Sequence, residues 1–157
     1  MAQDKRTWLD GPAIPGEYDD ETPGKWPGEK LGLPKSGSGA LVSVGKRALA
    51  VLVDWVSSAG IAAIIVSQTA ALGDVYTATY IIWVVLGIIS GWLFARTPGM
   101  ALLGMGVARI DVPGERVGLW RAAVRTILTG FLFPAAMVDS DGRGIHDRAT
   151  GTAVIYS

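Results

Sequence analysis

At 157 residues the chain is one domain's worth, with no room for a second independent catalytic domain beside any membrane segments. Lys+Arg and Asp+Glu both total 14, so no bulk positive charge exists to carry nucleic acid, and none is expected as a partner. Cysteine is absent, which excludes a disulfide framework, a thiolate nucleophile, Cys-type zinc and iron–sulfur ligation.

Residues 1–39 are rich in Pro and Gly with mixed charge, as in Asp10-Gly11-Pro12 and Lys25-Trp26-Pro27-Gly28. Too little apolar area is available there to offset ordering entropy, so a disordered cytoplasmic tail is expected. Trp8 and Trp26 stand out from it; they either touch lipid headgroups or the protein's own surface, or anchor a partner. No cleavable signal is expected, because the first apolar run begins only after this polar stretch and is too long for a signal core.

From Ala48 through Ala95 the only charged residues are Asp54 and Asp74, while every Lys and Arg lies outside that stretch. A bilayer produces such segregation. Roughly 20 helical residues cross a hydrocarbon core of about 30 Å. Ala48–Leu72 and Val75–Ala95 both meet that length, with Gly73-Asp74 as the link of an antiparallel hairpin. A chain this short could not wrap two such helices in protein on all sides. Ser58 and Ala62 on the first helix, with Gly87, Gly91 and Ala95 on the second, form rows of small residues. They seal the hairpin against itself or bring two copies together. Tyr76 and Tyr80 near one end and Trp92 near the other suit the interfacial aromatic belts.

Lys46 and Arg47 precede the hairpin and Arg96 follows it, so the positive-inside rule puts both its ends, and the N-terminus, in the cytoplasm. In the cytoplasmic loop 96–118, Thr97-Pro98 reads as an N-cap and N1 proline opening a short interfacial helix to about Leu103. Val107–Val112 and Arg116–Gly118, joined by Pro113-Gly114, predict a small β-hairpin with a type I or II turn. Leu119–Val138 is a third membrane segment. Arg121 and Arg125 in its first turns and Pro134 near its end make it short, re-entrant or steeply tilted, returning residues 139–157 to the cytoplasm. The predicted class is an all-α membrane protein: a two-helix transmembrane hairpin, a third short or re-entrant segment, a small cytoplasmic β-hairpin and a disordered N-terminal tail. The membrane domain covers residues 40–157.

Asp54 is the residue that demands explanation, since an acid near the centre of a spanning helix costs roughly 2.5–3.5 kcal/mol on insertion scales. It must be protonated, paired or facing water, as a functional site or a structural ion pair. Arg47, seven residues earlier, shares its helical face and can lean toward it. Arg121 and Arg125, at i and i+4, share a face of the third segment and are its best cross-helix partners, or else contact lipid phosphate. Near the C-terminus, His146 and Asp147 form a titratable pair placed beneath Asp54, Asp147 could cap a helical turn, and Ala153–Tyr156 predicts a strand. One His without Cys argues against a transition-metal site, and no cofactor is expected. Asp139-Ser140-Asp141-Gly142 superficially resembles a calcium loop, but the twelfth place, where a bidentate acid belongs, is Thr150. Phosphate-loop, nucleophile-elbow and zinc-helix motifs are missing, so no enzyme is predicted.

Together these residues resemble the RDD family, bacterial membrane proteins named for one arginine and two aspartates. The resemblance begins at Gly45-Lys46-Arg47-Ala48, continues through Asp54-Trp55 and resumes at Arg96-Thr97-Pro98-Gly99-Met100 with Leu102-Leu103-Gly104. It then takes in Arg121-Ala122 with Arg125, and ends at His146-Asp147-Arg148-Ala149 with Gly151-Thr152. The tail segment Trp26–Pro34 is similar to actinobacterial members. The resemblance implies a multi-pass protein of the bacterial plasma membrane, with Arg47, Asp54 and Asp147 as the name-giving residues. Met100 departs from the pattern where a basic residue is usual. For the family, transport is the usual suggestion, and some members are proposed to exchange cations for protons. Two functions are therefore expected. One is binding or passage of a small ion at a polar site around Asp54, perched among Arg47, Arg121, Arg125, His146 and Asp147, in a homo-oligomer. The other is a non-catalytic accessory or assembly subunit of a larger membrane complex, held by the Trp-bearing tail.

Overall fold

A computed structural model describes residues 24–69, 71–131 and 142–157. Two long helices dominate it: α1, Val44–Gln68, and α2, Val75–Phe94, both long and apolar enough to cross a membrane. Only 17% of the most apolar stretch of each is buried, and Val56, Ile64, Leu93 and Phe94 stand exposed. Helix α1 starts four residues before its apolar run, with Ser43 extended at the N-cap position and Lys46 and Arg47 in the first turn. It stops at Gln68, where Thr69 turns extended and its hydroxyl accepts the Ala71 N–H. The link to α2 therefore runs through residues 69–74 and is longer than the two residues predicted. Asp74 ends it by capping α2, accepting from the Tyr76 and Thr77 amides at 2.8 and 3.1 Å. The Thr77 hydroxyl, together with those amide bonds, holds its carboxyl below the usual carboxylate range.

The buried face of α1 is Arg47, Ala50, Asp54, Ser58 and Ala62, so the arginine and the acid do share a face, together with the small residues. The glycines of α2 do something other than seal the hairpin. A Cβ on Gly87 would come 2.8 Å from Thr126 Cγ2, and one on Gly91 3.4 Å from Ala122 Cβ. Both glycines thus admit α4, Leu119–Gly130, against α2. Gly87→Ala is expected to destabilise by about 1–3 kcal/mol, the usual range for overpacking. Because the obstacle is a side chain, adding Thr126→Ala should restore most of the loss in a denaturation series; no rescue would mean the glycine serves another purpose.

After α2, Thr97 caps the short helix α3, Pro98–Leu102, through the Met100 amide at 3.3 Å, with proline at the first position as predicted. The predicted local β-hairpin is replaced by a long-range pair. Strand β1, Met105–Arg109, is antiparallel to β2, Thr152–Tyr156, in the register Met105↔Tyr156, Val107↔Val154 and Arg109↔Thr152. Val112–Glu115 still forms a turn, closed by Glu115 N–H to Val112 O at 3.3 Å, with Pro113 second and Gly114 third at φ 85°. That is the type II pattern. Residues 116–118 do not return as a strand, and β2 offers what they cannot: Ala153 and Val154, fully buried under β1.

Residues 24–39, the described part of the expected disordered tail, form a 3₁₀ turn at Glu29–Leu31, the Trp26 indole donates to Leu33 O at 3.1 Å, and the Gly39 N–H bonds Tyr156 O at 2.8 Å. Beyond the tail, Val42 N–H and Tyr156 N–H bond across to Val154 O and Ala40 O. Trp26 is thus engaged within the chain, while Trp8 lies outside the described residues. Lys46 Nζ sits 4.4 Å over the Tyr156 ring. Val42, Ala50, Met105 and Val154 make one core cluster below the helix pair, and Val107, Val117 and Ala122 a second. Helix α4 has 12 residues, short of a full crossing, and its apolar residues Leu119, Trp120 and Ile127, with Phe131 just after it, face outward. The rest of the predicted third segment, with Pro134, and the loop Asp139–Asp141 lie outside the described residues. The last helix, α5, is Ile145–Ala149.

Candidate functional site

The polar residues singled out in the sequence gather into two neighbouring sites. At the first, Asp147 is fully buried and receives Arg47 of α1 and Arg125 of α4. Arg47 Nη1 lies 3.3 Å from Asp147 Oδ2, and Arg125 Nη1 pairs with Asp147 Oδ1. Each arginine has a further acceptor: Arg47 Nη2 donates to Gly142 O at 2.5 Å, and Arg125 Nη1 to Thr152 Oγ1 at 2.7 Å. His146 Nε2 stands 3.6 Å from Asp147 Oδ2. At Gly144, the N-cap of α5, a Cβ would lie 2.6 Å from His146 Cε1, so any larger residue there would have to push the imidazole aside. Asp147 therefore does not cap a helix, as was expected, but lies in the first turn of one and clamps α1 and α4 to the C-terminal segment. A carboxylate this dry is tolerable only because charge-assisted bonds surround it.

Asp54 belongs to the second site. It was expected to meet Arg47, Arg121 or Arg125, yet Arg47 and Arg125 turn to Asp147. Arg121 reaches Thr150 O at 3.0 Å and Asp111 at 2.8 Å. Asp54 Oδ1 instead accepts the Gly99 amide at 2.6 Å, and the Thr97 hydroxyl also bonds the carboxyl. Gly99 is what lets α3 come so close to α1. Asp54 stands ten residues past Val44, about 15 Å along the helix by rise, deeper than a start at Ala48 implied. His146 consequently belongs with Asp147 and not beneath Asp54.

Asp54 opens onto a cavity of about 60 Å³ between α1, α2, α3 and α4, room for a few water molecules. Ser57, Ser58, Thr126 and Thr129 line it with Arg96 and Arg125. Each of the four hydroxyls donates its single proton to a carbonyl of its own helix: Val53, Asp54, Ala122 and Arg125, at 2.8–2.9 Å. Those four oxygens turn lone pairs toward the cavity, while Arg96 also stands on its wall. The Arg125 guanidinium, meanwhile, is spent on Asp147 and Thr152.

Outside these sites, Asp111 bridges Arg109 and Arg121, and its carboxyl is held far below the ordinary range, chiefly by the Arg109 hydrogen bonds. Among the described residues no group of three or more His, Asp or Glu could hold a metal ion. Sequence reasoning missed Thr97 and Gly99 as partners of Asp54, and Thr152 as the hydroxyl between Arg125 and Asp147. The cap signal at Thr97-Pro98 was visible, but nothing local said which acid it would meet.

Fold and site together define a mostly helical protein with two membrane-length helices standing over a buried Arg47/Arg125–Asp147 cluster beside His146. The chain matches no family model, no curated protein and no solved structure.

Proposed function

We propose that the chain is a multi-pass protein of the bacterial plasma membrane, RDD-like in its motifs, that binds or passes a small monovalent cation at Asp54. The membrane reading is supported by two apolar helices whose flanks stay exposed, which in water would leave large greasy surfaces uncovered. Positive residues flanking the pair favour a cytoplasmic N-terminus. The observation that carries the cation reading is the Asp54 carboxylate on a cavity wall whose four hydroxyls have their protons committed elsewhere. One carboxylate and four hydroxyl oxygens with their protons already committed attract a cation or a water donor, even with Arg96 on the same wall. A single negative charge suits one positive charge better than two.

The role is non-catalytic, and the Asp147 cluster supplies the rigid base. The test is Asp54→Asn in purified protein reconstituted into liposomes. Asparagine keeps an oxygen for the Gly99 amide, so α3 stays docked while the charge is lost. Saturable sodium binding and flux are expected to fall at least about tenfold, the consequence of losing roughly 1.4 kcal/mol or more of ion affinity. Equal flux in mutant and parent removes Asp54 from the mechanism. An accessory role finds less support, because Trp26, the described part of its marker, bonds within the chain.

A further inference from the structure

Beside the polar cavity runs a second hollow of different chemistry. It has a volume of about 350 Å³, within the roughly 300–1,000 Å³ of small-ligand pockets. Its wall on α1 is Ala48, Val51, Leu52 and Trp55, at i, i+3, i+4 and i+7, one continuous stripe adjoining the buried face. Among the described residues, Tyr80 and Trp83 from α2 and Thr129 and Gly130 at the end of α4 also line it. The aromatic rings make a stiff floor: Trp55 packs edge-on to Trp83 at 6.0 Å and to Tyr80 at 6.5 Å. A Cβ at Gly130 would crowd Trp83 at 3.3 Å, so the glycine holds the end of α4 against that floor.

We infer that this groove seats one acyl chain of a phospholipid from the leaflet at the α1 N-terminal side. The inference rests on the membrane reading of α1 and α2. The groove is continuous with the outward apolar surface of those helices: Leu52, Trp55 and Tyr80 are themselves exposed, next to Leu49, Val56 and Ile81. A hollow opening there meets hydrocarbon and no water, and it is elongated along the helix, with Ala48 and Trp55 about 10 Å apart by rise. The headgroup end falls at the first turn of α1, where the Lys46 ammonium, seated over the Tyr156 ring, keeps its charge and the Ser43 side chain leaves the helix amides uncapped, a positive end that complements a phosphodiester. The aromatic floor fixes the chain at mid-depth.

The test uses the full chain in mild detergent with Trp8, Trp26, Trp92 and Trp120 replaced by Phe, so that Trp55 and Trp83 alone report. Phosphatidylcholine brominated on its acyl chain is titrated in, with the unbrominated lipid as control. A roughly twofold loss of fluorescence that saturates near one lipid per chain is expected of a single pocket. Ala48→Phe and Leu52→Phe, which fill the hollow from its rim, should abolish the saturable phase while leaving helicity and thermal midpoint unchanged. Quenching that rises without saturation, quenching that saturates equally in both variants, or no quenching in the parent, as for a groove already filled by protein, overturns the assignment. Carbonate washing of membranes separates this from the larger reading: a chain that stays in the pellet but shows no saturable site loses only the lipid pocket, and a chain released to the supernatant loses both.

Discussion

Asp147→Ala is expected to cost about 3–5 kcal/mol of stability, the range for removing one partner of a buried ion pair. The reason is asymmetry. Asp147 has no exposed side-chain surface, and Arg47 and Arg125 are each 92% buried, so the alanine variant strands two guanidinium groups beside a cavity. Arginine does not escape by releasing its proton. Asp147→Asn keeps an acceptor and should lose less. Arg125→Met combined with Asp147→Leu should lose less than Asp147→Ala alone, because matched removal leaves one fewer buried charge. Denaturant or thermal unfolding in mild detergent reads these differences. A shift for Asp147→Ala within about 0.5 kcal/mol of the parent, the range of ordinary surface changes, would show that the cluster does not hold the helices together.

Gly99→Ala is the second large effect, and it acts through backbone. The added Cβ would lie 2.3 Å from the Ala50 carbonyl oxygen and 3.0 Å from Asp54 Oδ1, so α3 must move off α1. Overpacking of this kind costs about 1–3 kcal/mol, and losing the Gly99 amide adds the penalty of a buried acceptor left unpaired, about 1–3 kcal/mol more. Ala50→Gly cannot rescue it, since the obstacle is a carbonyl and not a methyl group. This contrasts with Gly87→Ala, where trimming Thr126 should help. The same variant also bears on the cation site, for Asp54 would lose the donor that fixes its rotamer; ion binding should weaken even where helical content is retained. Unchanged stability and unchanged binding would place α3 elsewhere.

Why Arg47 abandons the acid on its own face, and Arg125 of α4 passes it by, is a matter of competition. Asp54 is already served by an amide at 2.6 Å and a hydroxyl, whereas Asp147 arrives in the first turn of α5 with both oxygens open toward α1 and α4. Charge-assisted bonds are worth most where water is scarcest, and Asp147 is the drier of the two. The outcome leaves Asp54 with its negative charge uncommitted to any arginine that the helices bring to its face, which is the electrostatic basis of the proposed cation site.

Local patterns in the chain were enough to reveal the two membrane-length helices, the Asp74 turn region, the Thr97-Pro98 cap and the strand near Ala153–Tyr156. Each depends on periodicity or on residues within one or two turns of each other. They also placed Arg47 and Asp54 on one face, since helical spacing fixes that without any partner. Only the tertiary structure decided which acid each arginine meets, for Arg47 and Asp147 are 100 residues apart and Asp54 and Gly99 are 45. It likewise decided that β1 pairs with β2 and not with residues 116–118, and that Gly87 and Gly91 admit α4. Charge and small size say that a residue needs a neighbour of a given kind; which neighbour it obtains depends on where the packed helices leave space and which competing partner is already satisfied.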